Sequence, residues 1–151
     1  MSPRVKGCAT VRGGEALPLL LTLSSGVQGF TTIHAGSARQ ALTRLRFICQ
    51  LSDSASDLPI SALNTLVSES IDIVVHAVRT PDGPRVSSVL AVEDLSGPAD
   101  ATQFTTTEVF RRARPDEPLT WTGQIPARLS RALAEAGYDI RDLVDVRDEV
   151  R

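Results

Sequence analysis

Val11-Arg12-Gly13-Gly14-Glu15-Ala16-Leu17 opens the stretch that decides the fold. Gly26-Val27-Gln28-Gly29-Phe30-Thr31-Thr32-Ile33-His34-Ala35 continues it, and Ser37-Ala38-Arg39-Gln40-Ala41-Leu42-Thr43-Arg44-Leu45 closes it. In order these residues read as turn, helix, turn, strand and helix. Glu15 to Ser25 is rich in leucine, with Leu17, Leu20, Leu21 and Leu23 leaving little polar face. Pro18 fits that helix only in its first turn, where the missing amide costs nothing. Gly26 is suited to end it, and Gly29 can supply a turn with positive φ. Phe30 to Ala35 then reads as a short strand, with Thr32 and His34 on one face and Thr31 and Ile33 on the other. Ser37 and Gln40 have the spacing of a capping box, so the next helix starts at Ser37 and carries Leu42, Leu45 and Cys49 on one face.

Downstream, the period changes twice. Pro59 sets a helix start for Ile60, Leu63, Leu66 and Val67. From Ile71, apolar residues stand at nearly every position through Val78, the density of a strand covered on both faces. Pro81-Asp82-Gly83 is a strong turn signal, and Val86 to Leu95 returns as the second arm of an antiparallel hairpin. Gln103 to Arg111 reads as a third strand. Pro126 starts a last long helix with Leu129, Ala132, Leu133 and Ala136 on its apolar side, and Gly137 stops it. Asp139 caps a short helix through Leu143 and Val144. Polar Ser52 to Asp57 is a loop, and the alternating charges after Asp145 read as a frayed tail.

Composition bounds the function. The 151 residues are 42% hydrophobic, enough for one core, and the formal net charge is −2. That balance does not call for nucleic acid or an anionic membrane, and scarce aromatics argue against a base-stacking platform. Basic residues gather locally, at Arg39, Arg44 and Arg46 and at Arg111, Arg112 and Arg114. Cys8 and Cys49 form neither a disulfide framework nor a metal-ligand spacing, and read as intracellular thiols. The apolar stretch Leu17 to Leu23 is too short to span a bilayer. These features together read as a soluble cytoplasmic chain.

His34 is the sharpest candidate for chemistry. It lies near the end of a short strand, ahead of a helix start, where ligands meet α/β sheets. There it can donate to a phosphate oxygen, or serve as a structural histidine. Arg12 can grip a phosphate with two parallel donors, or pair with Glu15. Glu15 is also an acid in a first helical turn, where the dipole favours it. Arg39 and Arg44 follow on the helix after His34, Arg44 pointing back toward the site and Arg39 toward solvent or a subunit interface. His76 sits among apolar strand residues and reads as structural. No G-x-x-x-x-G-K-[ST], H-E-x-x-H or G-x-S-x-G occurs, and no metal site is expected.

The linked order of these pieces resembles the C-terminal half of the type II/type IV secretion ATPases, and most of all the Flp/tight-adherence pilus assembly branch (CpaF-like and TadA-like). Arg12-Gly13-Gly14-Glu15-Ala16-Leu17 is similar to the segment after that family's Walker B strand. Gly26-Val27-Gln28-Gly29 with Thr32-Ile33-His34-Ala35 is similar to its glycine turn and histidine box. Ile71 to His76, Asp82-Gly83 and Arg85-Val86 resemble its late strand and hairpin.

The resemblance implies an α/β fold: a partial, RecA-like P-loop ATPase domain with antiparallel strands and a C-terminal helix. It implies one partial domain over 1–151, with a degenerate lead-in at 1–10, the RecA-like half at 11–111 and a helical extension at 119–145. In catalytic positions it places His34, Arg12 and Glu15, and in nucleotide-binding positions Gly29, Thr32, Arg39 and Arg44.

Family cofactors would be ATP and Mg2+, with the chain by itself binding neither. Partners would be other subunits of a hexameric ATPase and inner-membrane platform proteins, with no nucleic acid, at the inner face of the cell membrane. The sequence departs from the pattern where it matters most. Ala9 and Thr10 stand where the family has glycine and glutamate, Val27 where it has histidine, and Gly36 where it has asparagine. The expectation is therefore a truncated or degenerate component that is inactive alone. Completion in trans by a Walker A-bearing chain, or a noncatalytic docking role through helix 37–51 and the antiparallel strands, are the alternatives.

Overall fold

A computed structural model of the chain describes residues 10–52, 57–97 and 103–144. The residues read as lead-in before Thr10, most of the polar loop 52–57 and the tail from Asp145 lie outside them. Two compact units divide the chain. One comprises 1–71 with 94–105, the other 72–93 with 106–151.

The first unit is helical. Helix α1 spans Ala16–Ser24, α2 Ala38–Gln50 and α3 Ile60–Ser70. Pro18 falls in the first turn of α1, as its missing amide requires. Gly26, at φ 92°, accommodates the left-handed turn just beyond that helix. The positive φ therefore belongs to Gly26 and not to Gly29. Ser37 is the N-cap of α2, its hydroxyl accepting from the Gln40 amide at 3.1 Å. Pro59 precedes α3 in extended conformation.

Leu17 and Leu20 of α1, Leu42, Leu45 and Cys49 of α2, and Leu63 and Val67 of α3 form the core. Each fully buried leucine stabilises the unit by roughly 1.5–3 kcal/mol. Burial pushes the Cys49 thiol pKa up, because the thiolate would lose its water. Ile60, read from spacing as core, is instead exposed, and the inner stripe of α3 runs through Leu63, Asn64, Val67 and Ser68. Asn64 is satisfied there, its Oδ1 accepting from the Arg46 guanidinium at 2.8 Å.

Residues 94–105 return to this unit and deliver Phe104. Its side chain is buried, the Arg46 guanidinium lies 5.7 Å from its ring centroid, and its carbonyl accepts from Arg39 at 3.2 Å.

Among the described residues the expected strand Phe30 to Ala35 is seen only in part. Thr32 makes one parallel bridge, to Thr10, with the Val11 amide donating to the Thr32 carbonyl at 2.8 Å. A strand needs repeated pairing on at least one side, and the described residues give this segment a single bridge. Phe30 accordingly stays 58% exposed.

The second unit is an antiparallel sheet in the order β1-β2-β3-β4. Strand β1 is Ile73–Thr80, β2 Gly83–Val92, β3 Thr106–Arg111 and β4 Thr120–Trp121. Thr80 pairs with Gly83 across the two-residue turn Pro81-Asp82. Gly83 takes φ 112°, which only glycine adopts freely, so the second arm begins earlier than its apolar run. It ends at Val92 and not at Leu95.

The density of apolar residues in β1 predicts burial on both faces, and the structure corrects this. Its residues alternate between exposed and half-buried, leaving Ile73 at 45% and Val75 at 58% exposed. As the first strand of the sheet, β1 has a neighbour on one side only. Helices α4 (Ala127–Glu135) and α5 (Ile140–Val144) follow. No residue of α4 is buried, despite the predicted apolar side. Polar contacts hold it instead. The Glu93 carboxylate accepts from the amides of Ala127 at 3.0 Å and Arg128 at 2.9 Å and from the Thr107 hydroxyl at 2.7 Å, while Arg128 pairs with Asp72 at 2.8 Å. Gly137, at φ 86°, ends the helix, with the Tyr138 amide returning to the Leu133 carbonyl.

Candidate functional site

The glycines of Arg12-Gly13-Gly14 let the backbone turn tightly into α1, and Glu15 follows them directly. Its Oε1 accepts from the amide of Arg12 at 2.6 Å and of Gly13 at 3.2 Å. The carboxylate thus closes the turn that leads into the helix, and its pKa falls below the ordinary glutamate range. The amide of Arg12 is the main cause, followed by Glu15's own amide, with the Gly13 amide and the Arg12 charge adding to them. The alternative pairing, guanidinium to carboxylate, is not made: among the described residues Arg12 and Glu15 form no ion pair.

The strand side of the site is Thr32 and His34. The hydroxyls of Thr32 and Thr10 share a hydrogen bond of 2.9 Å. With the Val11 amide on the Thr32 carbonyl, this fixes the register of the two segments, Arg12 lying two residues beyond Thr10 and His34 two residues beyond Thr32. The side chains of Arg12 and His34 are exposed, and the His34 ring makes no hydrogen bond among the described residues.

Arg39 and Arg44 separate in role. Arg39 donates to the Phe104 carbonyl, a tie within the helical unit, while the residue itself stays exposed. Arg44 is exposed on the outer side of α2. Gly29 is exposed and makes a β-bridge just before Phe30. At Gly36 an added Cβ would stand 2.6 Å from the Gln40 side-chain oxygen, so Gln40 folds back over the space that a side chain at 36 would take. His76, read as structural, has its Nδ1 2.7 Å from the Ser87 hydroxyl on the neighbouring strand, and that hydroxyl donates to the His76 carbonyl at 3.1 Å.

Two side chains outside the sequence-based set shape the region. Arg46 supports the α2–α3 contact through Asn64 and carries Phe104 on its guanidinium. Only the basic cluster Arg39, Arg44 and Arg46 hinted at it, and nothing in the spacing marks which of the three turns inward.

Among the described residues no group of three or more His, Cys, Asp or Glu could hold a metal ion. Thr10 stands where an acid would be needed, and its hydroxyl is engaged by Thr32. The chain's single lysine, Lys6, is followed by Gly7, not by the serine or threonine of a phosphate loop. A phosphate group would meet cationic side chains here, but the Arg12 and Gly13 amides are already occupied by Glu15.

No family model matches the chain. Individual relatives do. Over 80 residues, 52% of this chain and 24% of the relative, it is 43% identical to the type IV secretion system protein PtlH of Bordetella pertussis. Over 84 residues, 55% of the chain and 24% of the relative, it is 39% identical to the probable conjugal transfer protein TrbB of Sinorhizobium fredii. Among solved structures, the VirB11 ATPase of the Brucella suis type IV secretion system, crystallised with sulphate, superposes with a TM-score of 0.50 at 30% identity, covering 54% of this chain and 25% of that one. The chain thus spans about a quarter of the length of the relatives it matches. No helix among the described residues is long and apolar enough to cross a membrane. Over about half of its residues, the chain is similar to proteins of type IV secretion and conjugal transfer and to the VirB11 ATPase.

Proposed function

We propose that this chain is a component of a type IV secretion or conjugal-transfer machine, contributing one edge of a nucleotide site without hydrolysing ATP by itself. The similarity to PtlH, TrbB and the VirB11 ATPase carries the reading. None of these relatives is a tight-adherence pilus protein, so the type IV secretion branch is preferred to the Flp branch. Arg12, His34 and Arg44 present exposed groups suited to phosphate oxygens, while Thr32 and Gly29 shape the turn that carries His34. Hydrolysis requires positioned phosphate ligands and a metal. Thr10 in place of an acid, and the commitment of Glu15 to two amides, support a chain that lacks them. Partners would be ATPase subunits that supply the phosphate loop, and the proteins of the secretion platform at the inner face of the membrane.

Phosphate release from the purified chain with ATP and Mg2+ tests this directly. The expected result is background turnover, unchanged by His34→Ala. Turnover above background that is abolished by His34→Ala would overturn the reading. A docking role has separate support in the exposed Phe47 and Leu51, one turn apart on the outer side of α2 beside Arg44. Co-purification with a secretion ATPase that survives Arg12→Ala but is lost with Phe47→Asp would favour docking over a nucleotide contact.

A further inference from the structure

We infer that Glu15 is a positioning residue: its carboxylate locks the Arg12-Gly13 backbone and so leaves the Arg12 guanidinium free for an external anion. This rests on the nucleotide-edge reading of Arg12, and extends it by giving Glu15 a role other than that of a reacting acid. Three observations carry it. First, the carboxylate lies against main-chain amides, at 2.6 Å from Arg12 N and 3.2 Å from Gly13 N, so a charge-assisted bond holds the turn. Second, an arginine three residues from a glutamate ordinarily finds it, yet no Arg12–Glu15 ion pair forms. Third, Arg12 is held from the other side as well. Val11 is buried, its amide donates to the Thr32 carbonyl at 2.8 Å, and the Thr10 and Thr32 hydroxyls are joined. The Arg12 backbone is therefore gripped before and at its own amide, and the side chain projects from a fixed base. A guanidinium presented this way keeps its planar set of donors for a phosphate, with less ordering left to occur when the anion arrives.

Chain length matters to the lock. Glutamate reaches back to two amides from the position before the helix. Aspartate is one methylene shorter, and glutamine offers a neutral oxygen in place of a charged one. The Arg12 guanidinium is the charged group whose field acts on the Glu15 carboxylate.

The test is an amide NMR titration of the full chain from neutral pH to about pH 3, with pyrophosphate as the anion probe. The Arg12 and Gly13 amide protons should move together on acidification, with one midpoint below that of an ordinary glutamate. Glu15→Gln should abolish that transition while the amides of Leu20 and Leu42 keep their wild-type shifts, which reports an intact core. Static Arg12 and Gly13 amides in the wild type, or the same transition in Glu15→Gln, would overturn the proposal. Pyrophosphate, added at neutral pH, should shift the Arg12 Nε–H resonance in the wild type, and Glu15→Ala should weaken that response about tenfold, with Glu15→Gln falling between. A response unchanged or strengthened in Glu15→Ala overturns the positioning role, the strengthened case showing that the freed amides bind the anion. If the wild type gives no response, the nucleotide-edge reading fails, and the amide titration alone decides whether Glu15 locks the turn.

Discussion

At the scale of single residues, the helical unit depends on one aromatic side chain delivered from far along the sequence. Phe104 is buried among residues of the helices, with one arginine on its ring and another on its carbonyl. Phe104→Ala should cost about 3–5 kcal/mol, the range for a truncated buried phenylalanine. Urea unfolding followed by circular dichroism would measure it. Arg39→Ala removes one hydrogen bond to a carbonyl and should cost about 1 kcal/mol in the same assay. A larger loss from Arg39→Ala than from Phe104→Ala would mean that the tie, and not the packing, holds the segment. The sequence placed Phe104 on a strand face and Arg39 toward solvent or a neighbouring subunit. It could not show that the two meet, because the contact joins residues whose proximity depends on how the chain returns after β2.

The elements divide by how local their cause is. Helix α2 was legible down to its first residue, since Ser37, Gln40 and the leucine spacing all act within a few positions. The hairpin was legible from Pro81-Asp82-Gly83 for the same reason. Burial of β1 was not, because its apolar density says what a strand could cover and nothing about whether a neighbour is present. Likewise, α4 has the apolar spacing of a packed helix, but the contacts that hold it come from Glu93 and Asp72, which no period reveals. Of the candidate site, the sequence supplied the residue types at 12, 15 and 34; the engagement of Glu15 with backbone amides needed coordinates.

Two changes follow at this scale. Ser37→Ala should lower stability by about 1 kcal/mol through loss of the α2 cap, seen as an earlier urea midpoint. Glu93→Ala should loosen α4 by about 1–2 kcal/mol, since it leaves the Ala127 and Arg128 amides without their acceptor. Faster hydrogen exchange confined to α4 would show it, and unchanged exchange there would deny Glu93 this role.

For the molecule as a whole, the sheet's first strand sets the expected behaviour in solution. Strand β1 exposes Ile73 and Val75 beside a row of main-chain groups with no second neighbour in the sheet. Such an edge is a template for unwanted pairing. Val75→Lys should reduce light scattering at high concentration and shift the thermal midpoint by only a degree or two. A drop of many degrees would mean that Val75 is packed in solution. The similarity to secretion ATPases covers about half of the chain and a quarter of its relatives.

The return of residues 94–105 to the helical unit also sets the order of events during synthesis. All three helices are synthesised before Phe104, and both arms of the β1–β2 hairpin must be translated in between. The nascent helices therefore wait with an open seat in their core, exposed to chaperones and proteases for as long as the hairpin takes to appear. A rare codon or stalled ribosome between Asp72 and Gln103 would lengthen that wait, and the yield of folded protein would fall without any change in the finished sequence.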